Sequence, residues 1–130
     1  VMAAWTGRCL CGQIGYRIAT DDPPLGVTVC HCRQCARWTG SHGAFVPVRL
    51  SELTVTGDPR WFQSSPEVRR GSCPSCGSAL FWQAEPGNRI YVTAGSLDPP
   101  VGLAVVEHLH TLSKSDWYAL TDSAPKKPEE

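Results

Sequence analysis

The sequence predicts a mainly β protein with small antiparallel sheets and little or no helix. Apolar residues alternate with polar ones or form short β-branched runs, which is the pattern of strands. Such runs occupy residues 14–18, 27–29, 44–48 and 90–93. The 12 glycines and 11 prolines interrupt the chain at short intervals, and they suit turns better than helix interiors. The helical expectation is a single turn over residues 51–53, with Ser51 as its cap.

The length of the chain indicates how many domains it forms, and its net charge limits the kinds of partner that it can bind. A chain of 130 residues fits one domain, which we place at residues 2–122. The last residues are charged, proline-rich and without large apolar groups, so residues 123–130 are predicted to be a disordered tail. The 12 basic and 12 acidic residues give zero net charge, which argues against a nucleic-acid or membrane partner. The oligomeric state has no signal in the sequence.

The expected location is cytoplasmic. No apolar segment approaches the roughly 20 residues needed to cross a bilayer, and no basic stretch followed by an apolar run marks the beginning of the sequence. The chain has seven cysteines, and an odd number in a reducing compartment favours metal ligands over disulfides.

The cysteines fall into three groups along the chain. These groups are Cys9 and Cys11, then Cys30, Cys32 and Cys35, then Cys73 and Cys76. One allocation joins the C-x-x-C pairs of the second and third groups, as in a zinc ribbon, and leaves three cysteines unexplained. The other joins the first and third groups into a set of four and keeps the second group as a trio, which accounts for every cysteine. Four protein ligands are typical of structural zinc, whereas three ligands and an open position are typical of catalytic zinc.

The first group can share a metal only where the chain bends. Residues two apart on a regular strand lie about 6.6 Å apart, whereas sulfurs on one zinc are closer together. Gly12 and Gly77 follow their cysteines directly and supply the freedom to turn.

Several motifs in this order resemble the glutathione-dependent formaldehyde-activating enzyme family, also called the centromere protein V family. The matching segments are residues 7–12, 30–35, 38–40, 73–78 and 95–98, with His108, Leu109, Lys114 and Trp117. Together they extend over about residues 5–120. The resemblance implies a β-tent zinc-binding fold.

The resemblance also implies two zinc ions per chain. It assigns a structural zinc to Cys9, Cys11, Cys73 and Cys76, and a second zinc to Cys30, Cys32 and Cys35. The implied activity is that of a carbon–sulfur lyase, in which glutathione and formaldehyde combine to S-(hydroxymethyl)glutathione, so the implied partner is a small thiol. The alternative is a noncatalytic zinc-binding module for a protein or chromatin partner.

Residues around the trio suggest further roles. A thiol in the open position would lose its proton, and the thiolate is the form that attacks an aldehyde carbon; an ionised water would favour hydrolysis instead. Arg33 and Arg37 are candidates to bind substrate carboxylates, with Trp38 as a candidate pocket wall or a core aromatic. His31 should point away from a metal held by its two neighbours and have a structural role.

Two later histidines are an additional candidate for a metal site. His108 and His110 are expected to share one face of a strand, but the cysteines already account for the metals.

Overall fold

The computed structural model describes residues 3–129, and within this range the chain forms ten β-strands and one α-helix. The strands are β1 (Ala3–Arg8), β2 (Gly15–Thr20), β3 (Val27–Cys30), β4 (Gly43–Arg49), β5 (Leu53–Thr56), β6 (Arg60–Ser65), β7 (Val68–Ser72), β8 (Ala79–Ala84), β9 (Arg89–Thr93) and β10 (Val105–Leu109). The helix is α1 (Arg33–Thr39). The mainly β prediction is therefore confirmed.

The described chain divides into two compact units. The first contains the residues up to Pro24 and Val46–Gly102, and the second contains Leu25–Phe45 and the residues from Leu103 onward. The single domain predicted for residues 2–122 stays a prediction, and its first residue, Met2, lies outside the described residues, as does Glu130.

The first unit is built from antiparallel strands. β2 pairs with β1 on one side and with β5 on the other, and β6, β7, β8 and β9 follow one another as antiparallel neighbours. Ile14, Leu80, Phe81 and Val92 are fully buried, so these strands share a packed apolar interior. β1 and β7 end immediately before Cys9 and Cys73, which places a cysteine of each group at a strand end.

The second unit contains a parallel strand pair. β3 pairs with β4 in the antiparallel sense, with Cys30 opposite Gly43, and with β10 in the parallel sense, with Cys30 opposite Leu109. This pair is a parallel exception to the expected antiparallel sheets. Parallel neighbours require a long connection, and here the chain passes through most of the first unit between β3 and β10.

The helical expectations need correction. The chain forms α1 directly after the β3 strand, because the Cys32 side chain accepts a hydrogen bond from the Cys35 N–H at the beginning of the helix and Gly40 ends it at φ 85°. The turn expected at residues 51–53 is a 3-10 turn over Leu50–Glu52, without a side-chain cap.

The two later histidines do not share a strand face. His108 lies on β10, whereas His110 follows the strand at φ 56°, in the left-handed region.

The end of the chain also differs from the expectation of a disordered tail. Residues 125–128 lie along β10 and form backbone hydrogen bonds with it. The His108 N–H donates to the Pro125 carbonyl and the Lys127 N–H donates to the His108 carbonyl, both at 2.8 Å. Lys127 also pairs with Glu107 at 3.0 Å. A segment with few apolar groups cannot form a core of its own. It can still pair with the edge of a strand, because that pairing uses backbone hydrogen bonds.

Candidate metal centres

The first and third cysteine groups meet in the first unit. The sulfurs of Cys9, Cys11, Cys73 and Cys76 all lie within 4.8 Å of one another. Cys11 Sγ is 3.6 Å from Cys9 Sγ and 3.7 Å from Cys73 Sγ. A tetrahedral zinc with Zn–S bonds of about 2.3 Å separates its sulfurs by about 3.8 Å. The four-cysteine cluster therefore fits a closed tetrahedral site.

Tight turns bring these sulfurs together. Gly12 and Gly77 have φ angles of 82° and 79°, a conformation that favours glycine, and their N–H groups donate back to Cys9 and Cys73 carbonyls at 3.2 and 2.9 Å. The bend expected after Cys11 is thus confirmed.

Backbone donors and a hydroxyl point at the sulfurs. Cys73 Sγ accepts the N–H groups of Ser75 and Cys76 at 3.4 Å, and Cys9 Sγ accepts that of Ile14 at 3.3 Å. The Ser78 hydroxyl, 3.2 Å from Cys76 Sγ, lowers the pKa of that thiol to about 5. Hydrogen bonds of this kind favour the thiolate, which is the form that binds a metal.

The middle group forms a separate trio in the second unit. The sulfurs of Cys30, Cys32 and Cys35 also lie within 4.8 Å of one another. Cys30 ends β3, Cys32 caps α1 and Cys35 lies in its first turn, where it is 2% exposed. The sulfurs therefore form one cluster of four and one of three, which is the allocation that accounts for every cysteine. They do not form the zinc-ribbon arrangement, in which the C-x-x-C pairs of the second and third groups share a metal.

The trio has the chemistry of an incomplete cation site. The Cys32 and Cys35 sulfurs hydrogen-bond to Cys30 and, together with burial, raise the pKa of its thiol. Three sulfurs this close cannot all ionise without a cation among them. Within residues 3–129, no fourth histidine, cysteine or carboxylate groups with the trio. The trio therefore fits a metal ion that keeps one position open.

His31 lies between two cysteines of the trio but points to other partners. It is 2% exposed, its Nε2 lies 2.9 Å from His108 Nδ1, and its Nδ1 lies 2.6 Å from the Tyr118 hydroxyl. Both ring nitrogens thus have partners other than a metal, in agreement with the predicted structural role. Burial, with a contribution from nearby His108, lowers the pKa of His31 to about 4, so the ring is neutral near pH 7.

The hydrogen bonds continue beyond His31. His108 Nε2 lies 2.9 Å from Asp122 Oδ2, and this bond lowers the pKa of the carboxyl. No sequence signal groups Tyr118 or Asp122 with His31, because neither belongs to a recognisable motif and Tyr118 is 87 residues from His31. We call Asp122, His108, His31 and Tyr118 the histidine chain.

The three predicted substrate contacts all belong to α1. Arg33 and Arg37 are exposed and one helical turn apart, so they share a helix face, and Arg33 donates to the Ser115 hydroxyl at 3.2 Å. The Trp38 ring stacks with Phe45 at a centroid distance of 6.4 Å, as expected of a core aromatic. Their roles in binding substrate stay predictions.

Two cysteine clusters that could hold metal ions lie on a small β-rich fold, an arrangement typical of cysteine-ligated metal proteins,. The family model of the glutathione-dependent formaldehyde-activating enzyme matches residues 4–113. The chain belongs to this family, so the predicted resemblance is confirmed.

Solved structures support the fold. A Rhodobacter sphaeroides protein, determined as a structural genomics target, matches with a TM-score of 0.61 and 21% identity over 72% of this chain and 88% of its own. At that identity the likeness establishes the fold alone. No curated protein matches the chain. Among the described residues, no helix has the length and apolar character needed to cross a membrane.

Proposed function

We propose that the protein is a zinc-dependent enzyme of the carbon–sulfur lyase type that joins a small thiol to formaldehyde. With glutathione the product is S-(hydroxymethyl)glutathione. The observation that carries the proposal is the trio of Cys30, Cys32 and Cys35, which groups with no fourth side-chain ligand in the described chain. Membership of the family supports the same function at the level of the family.

The two cysteine clusters would have different roles. The four-cysteine cluster would hold a structural zinc, and the trio would hold a second ion. When bound there, zinc would lower the pKa of an entering thiol so that it reacts as a thiolate. A cytoplasmic location fits this chemistry, because a reducing compartment keeps both the cysteines and the substrate thiol free.

The helix that follows the trio would bind the rest of the thiol. Glutathione carries two carboxylates, and Arg33 and Arg37 present two guanidinium groups on one exposed face of α1. Guanidinium–carboxylate pairs are among the stronger and more directional hydrogen-bonded pairs. Trp38, one residue further along the same helix, would bound the pocket.

A second candidate is the noncatalytic zinc module for a protein partner. It is favoured by two large apolar side chains in the second unit, Leu112 at 77% exposure and Trp117 at 63%. Exposed groups of this type are common at protein interfaces.

Metal content with and without glutathione tests the proposal. We expect two zinc ions per wild-type chain by elemental analysis, one per Cys32→Ser chain, and glutathione binding by calorimetry only in the wild type. Ser113→Ala, a change at a partly exposed serine of the same unit that retains every cysteine, is the control and should behave like the wild type. One zinc per wild-type chain without glutathione binding would instead support the noncatalytic module.

A further inference from the structure

The connection between β3 and α1 carries the middle ligand of the trio. Cys30 ends the strand and the helix begins at Arg33. His31 and Cys32 therefore lie in neither element. A metal site needs its ligands held to within about 0.5 Å, and strands and helices hold ligands more precisely than connections do. Other contacts must therefore fix the position of Cys32 relative to Cys30.

His31 has three hydrogen bonds that anchor this connection. Its backbone N–H donates to the Leu109 carbonyl at 2.9 Å. Its ring Nε2 lies 2.9 Å from His108 Nδ1, and its ring Nδ1 lies 2.6 Å from the Tyr118 hydroxyl. The residue is 2% exposed, and a buried ring with both nitrogens paired can rotate only by leaving a polar atom without its partner. The His31 backbone, and with it the two cysteines on either side, is therefore fixed through its side chain.

These anchors lie on the face of the strands opposite the sulfurs. Cys30 is paired with Gly43 of β4, and a Cβ on Gly43 would lie 3.2 Å from Cys35 Sγ, so the trio occupies this face. The same register places His31 opposite His42, and successive side chains of an extended chain point to opposite faces. The two histidine rings lie 5.5 Å apart. The histidine chain thus supports the trio from the opposite side of the backbone.

His108 is fixed by its main chain and by its ring. Its N–H donates to the Pro125 carbonyl and its carbonyl accepts the Lys127 N–H, both at 2.8 Å. Its ring Nε2 faces both carboxylate oxygens of Asp122, at 2.9 and 3.1 Å. The support of His31 therefore extends to residues 122–127, far from the trio in sequence.

The Tyr118 end of the histidine chain is held as well. Lys114 Nζ lies 4.5 Å from the centre of the Tyr118 ring and donates to the Tyr118 carbonyl, and the Trp117 ring is 4.4 Å away. In the same segment, the Ser115 hydroxyl accepts a hydrogen bond from Arg33 at 3.2 Å. This segment therefore contacts both sides of the connection, through the ring of its histidine and through the first residue of the helix.

We propose that the histidine chain positions the ligands of the second metal ion, so that residues after β10 set how tightly the trio holds this ion. Tyr118 and Asp122 are positioning residues: Tyr118 acts on the ligands through His31, and Asp122 acts through His108 and then His31. The inference rests on the proposed function, in which the trio holds an ion. The four-cysteine cluster belongs to the first unit and the histidine chain to the second, so the closed site is an internal reference.

Thr28 provides the control that separates positioning from stability. Its hydroxyl donates to the Glu107 carboxylate at 2.9 Å, across the same pair of β3 and β10. Thr28→Val removes this hydrogen bond with little change of shape, just as Tyr118→Phe removes one hydroxyl hydrogen bond. Only Tyr118→Phe removes a bond to His31. A network that served stability alone would make the two variants alike.

Competition with a chromophoric zinc chelator measures both dissociation constants in the zinc-loaded protein, and the ion missing from Cys32→Ser identifies the trio. In Tyr118→Phe we expect the dissociation constant of the trio zinc to rise at least about tenfold, the lower end of the usual effect of partners outside the ligand set. The dissociation constant of the four-cysteine zinc should stay within twofold of the wild type. In Thr28→Val both constants should stay within twofold. The d–d absorption bands of cobalt(II) at the trio, which depend on ligand geometry, should change in Tyr118→Phe and not in Thr28→Val.

Substitutions of Asp122 test the other end of the histidine chain and decide the question if Tyr118→Phe does not fold. Asp122→Ala removes the acceptor that faces His108 Nε2, so it should also weaken the binding of the trio zinc. Asp122→Asn keeps a carbonyl oxygen that can accept this hydrogen bond and should restore most of the affinity. Asp116→Ala, at an exposed aspartate of the same unit, is the control and should bind zinc like the wild type. An Asn variant as weak as the Ala variant would exclude positioning through this hydrogen bond.

The outcomes distinguish this inference from the proposed function. A rise of less than tenfold in Tyr118→Phe, an equal rise in Thr28→Val, or equal weakening of both zinc ions would overturn the positioning role. A wild-type chain that binds only one zinc ion would overturn the second ion and the proposed function with it. Two zinc ions held by the wild type and by Tyr118→Phe with equal affinity would overturn the positioning role alone.

Discussion

Replacing Cys73 by serine should unfold much of the protein, whereas replacing Cys32 should not. Cys73 is 2% exposed, accepts two backbone N–H groups and has Cys11 Sγ at 3.7 Å. The substitution removes a ligand of the closed cluster and leaves two donors without their sulfur. Cys32 belongs to the trio, which holds together a single loop and the beginning of α1.

The expected loss is comparable with the total stability. At about 0.05–0.15 kcal/mol per residue, a chain of 130 residues has a free energy of unfolding of about 7–20 kcal/mol. A structural zinc contributes about 10–16 kcal/mol. Loss of only about 5 kcal/mol would lower Tm by about 20 °C, since a domain of this size shifts by about 4 °C per kcal/mol.

Thermal unfolding followed by far-UV circular dichroism, with zinc in slight excess, measures the difference. We expect Cys73→Ser to be unfolded or to melt at least 20 °C below the wild type, and Cys32→Ser to melt within about 5 °C of it. Equal losses in the two variants would refute the division into a structural and an open cluster.

Two other substitutions probe the second unit. In Gly43→Ala the new Cβ would collide with the Phe45 ring and lie 3.2 Å from Cys35 Sγ. We expect a loss of about 1–3 kcal/mol in the free energy of urea unfolding and weaker metal binding at the trio. Full retention of both would contradict the packing described. Hydrogen bonds from Lys127 and Thr28 lower the pKa of Glu107. The ionised Glu107 carboxylate therefore stabilises the folded protein at pH values above the ordinary carboxyl pKa, and this contribution is lost as the pH falls through the lowered pKa. Glu107→Gln should therefore be less stable than the wild type at pH 7 and lose less Tm between pH 7 and pH 3, and parallel Tm profiles would rule this out.

The sequence predicted the mainly β character, the positions of four of the ten described strands and the cysteine groups, because these have local signals. Alternating apolar residues mark β2, β3, β4 and β9, and each of these strands lies within two residues of its predicted bounds. Glycine directly after Cys11 and Cys76 indicated the turns that bring distant sulfurs together.

Other features depend on contacts that no local pattern records. α1 was missed because its cap is a cysteine side chain, a residue type not associated with capping,. Tyr118 and Asp122 were missed because their partners are histidines brought close by the parallel pairing of β10 with β3. His110 was misplaced because the strand ends one residue before it.

The backbone pairing of residues 125–128 with β10 has a consequence for handling the protein. In the second unit β10 has β3 on one side, and the final residues occupy its other side through His108. A bare strand edge is a template for another chain. Residues 125–128 thus shield this edge from intermolecular strand addition, and a variant that lacks them would be prone to self-association at this edge,.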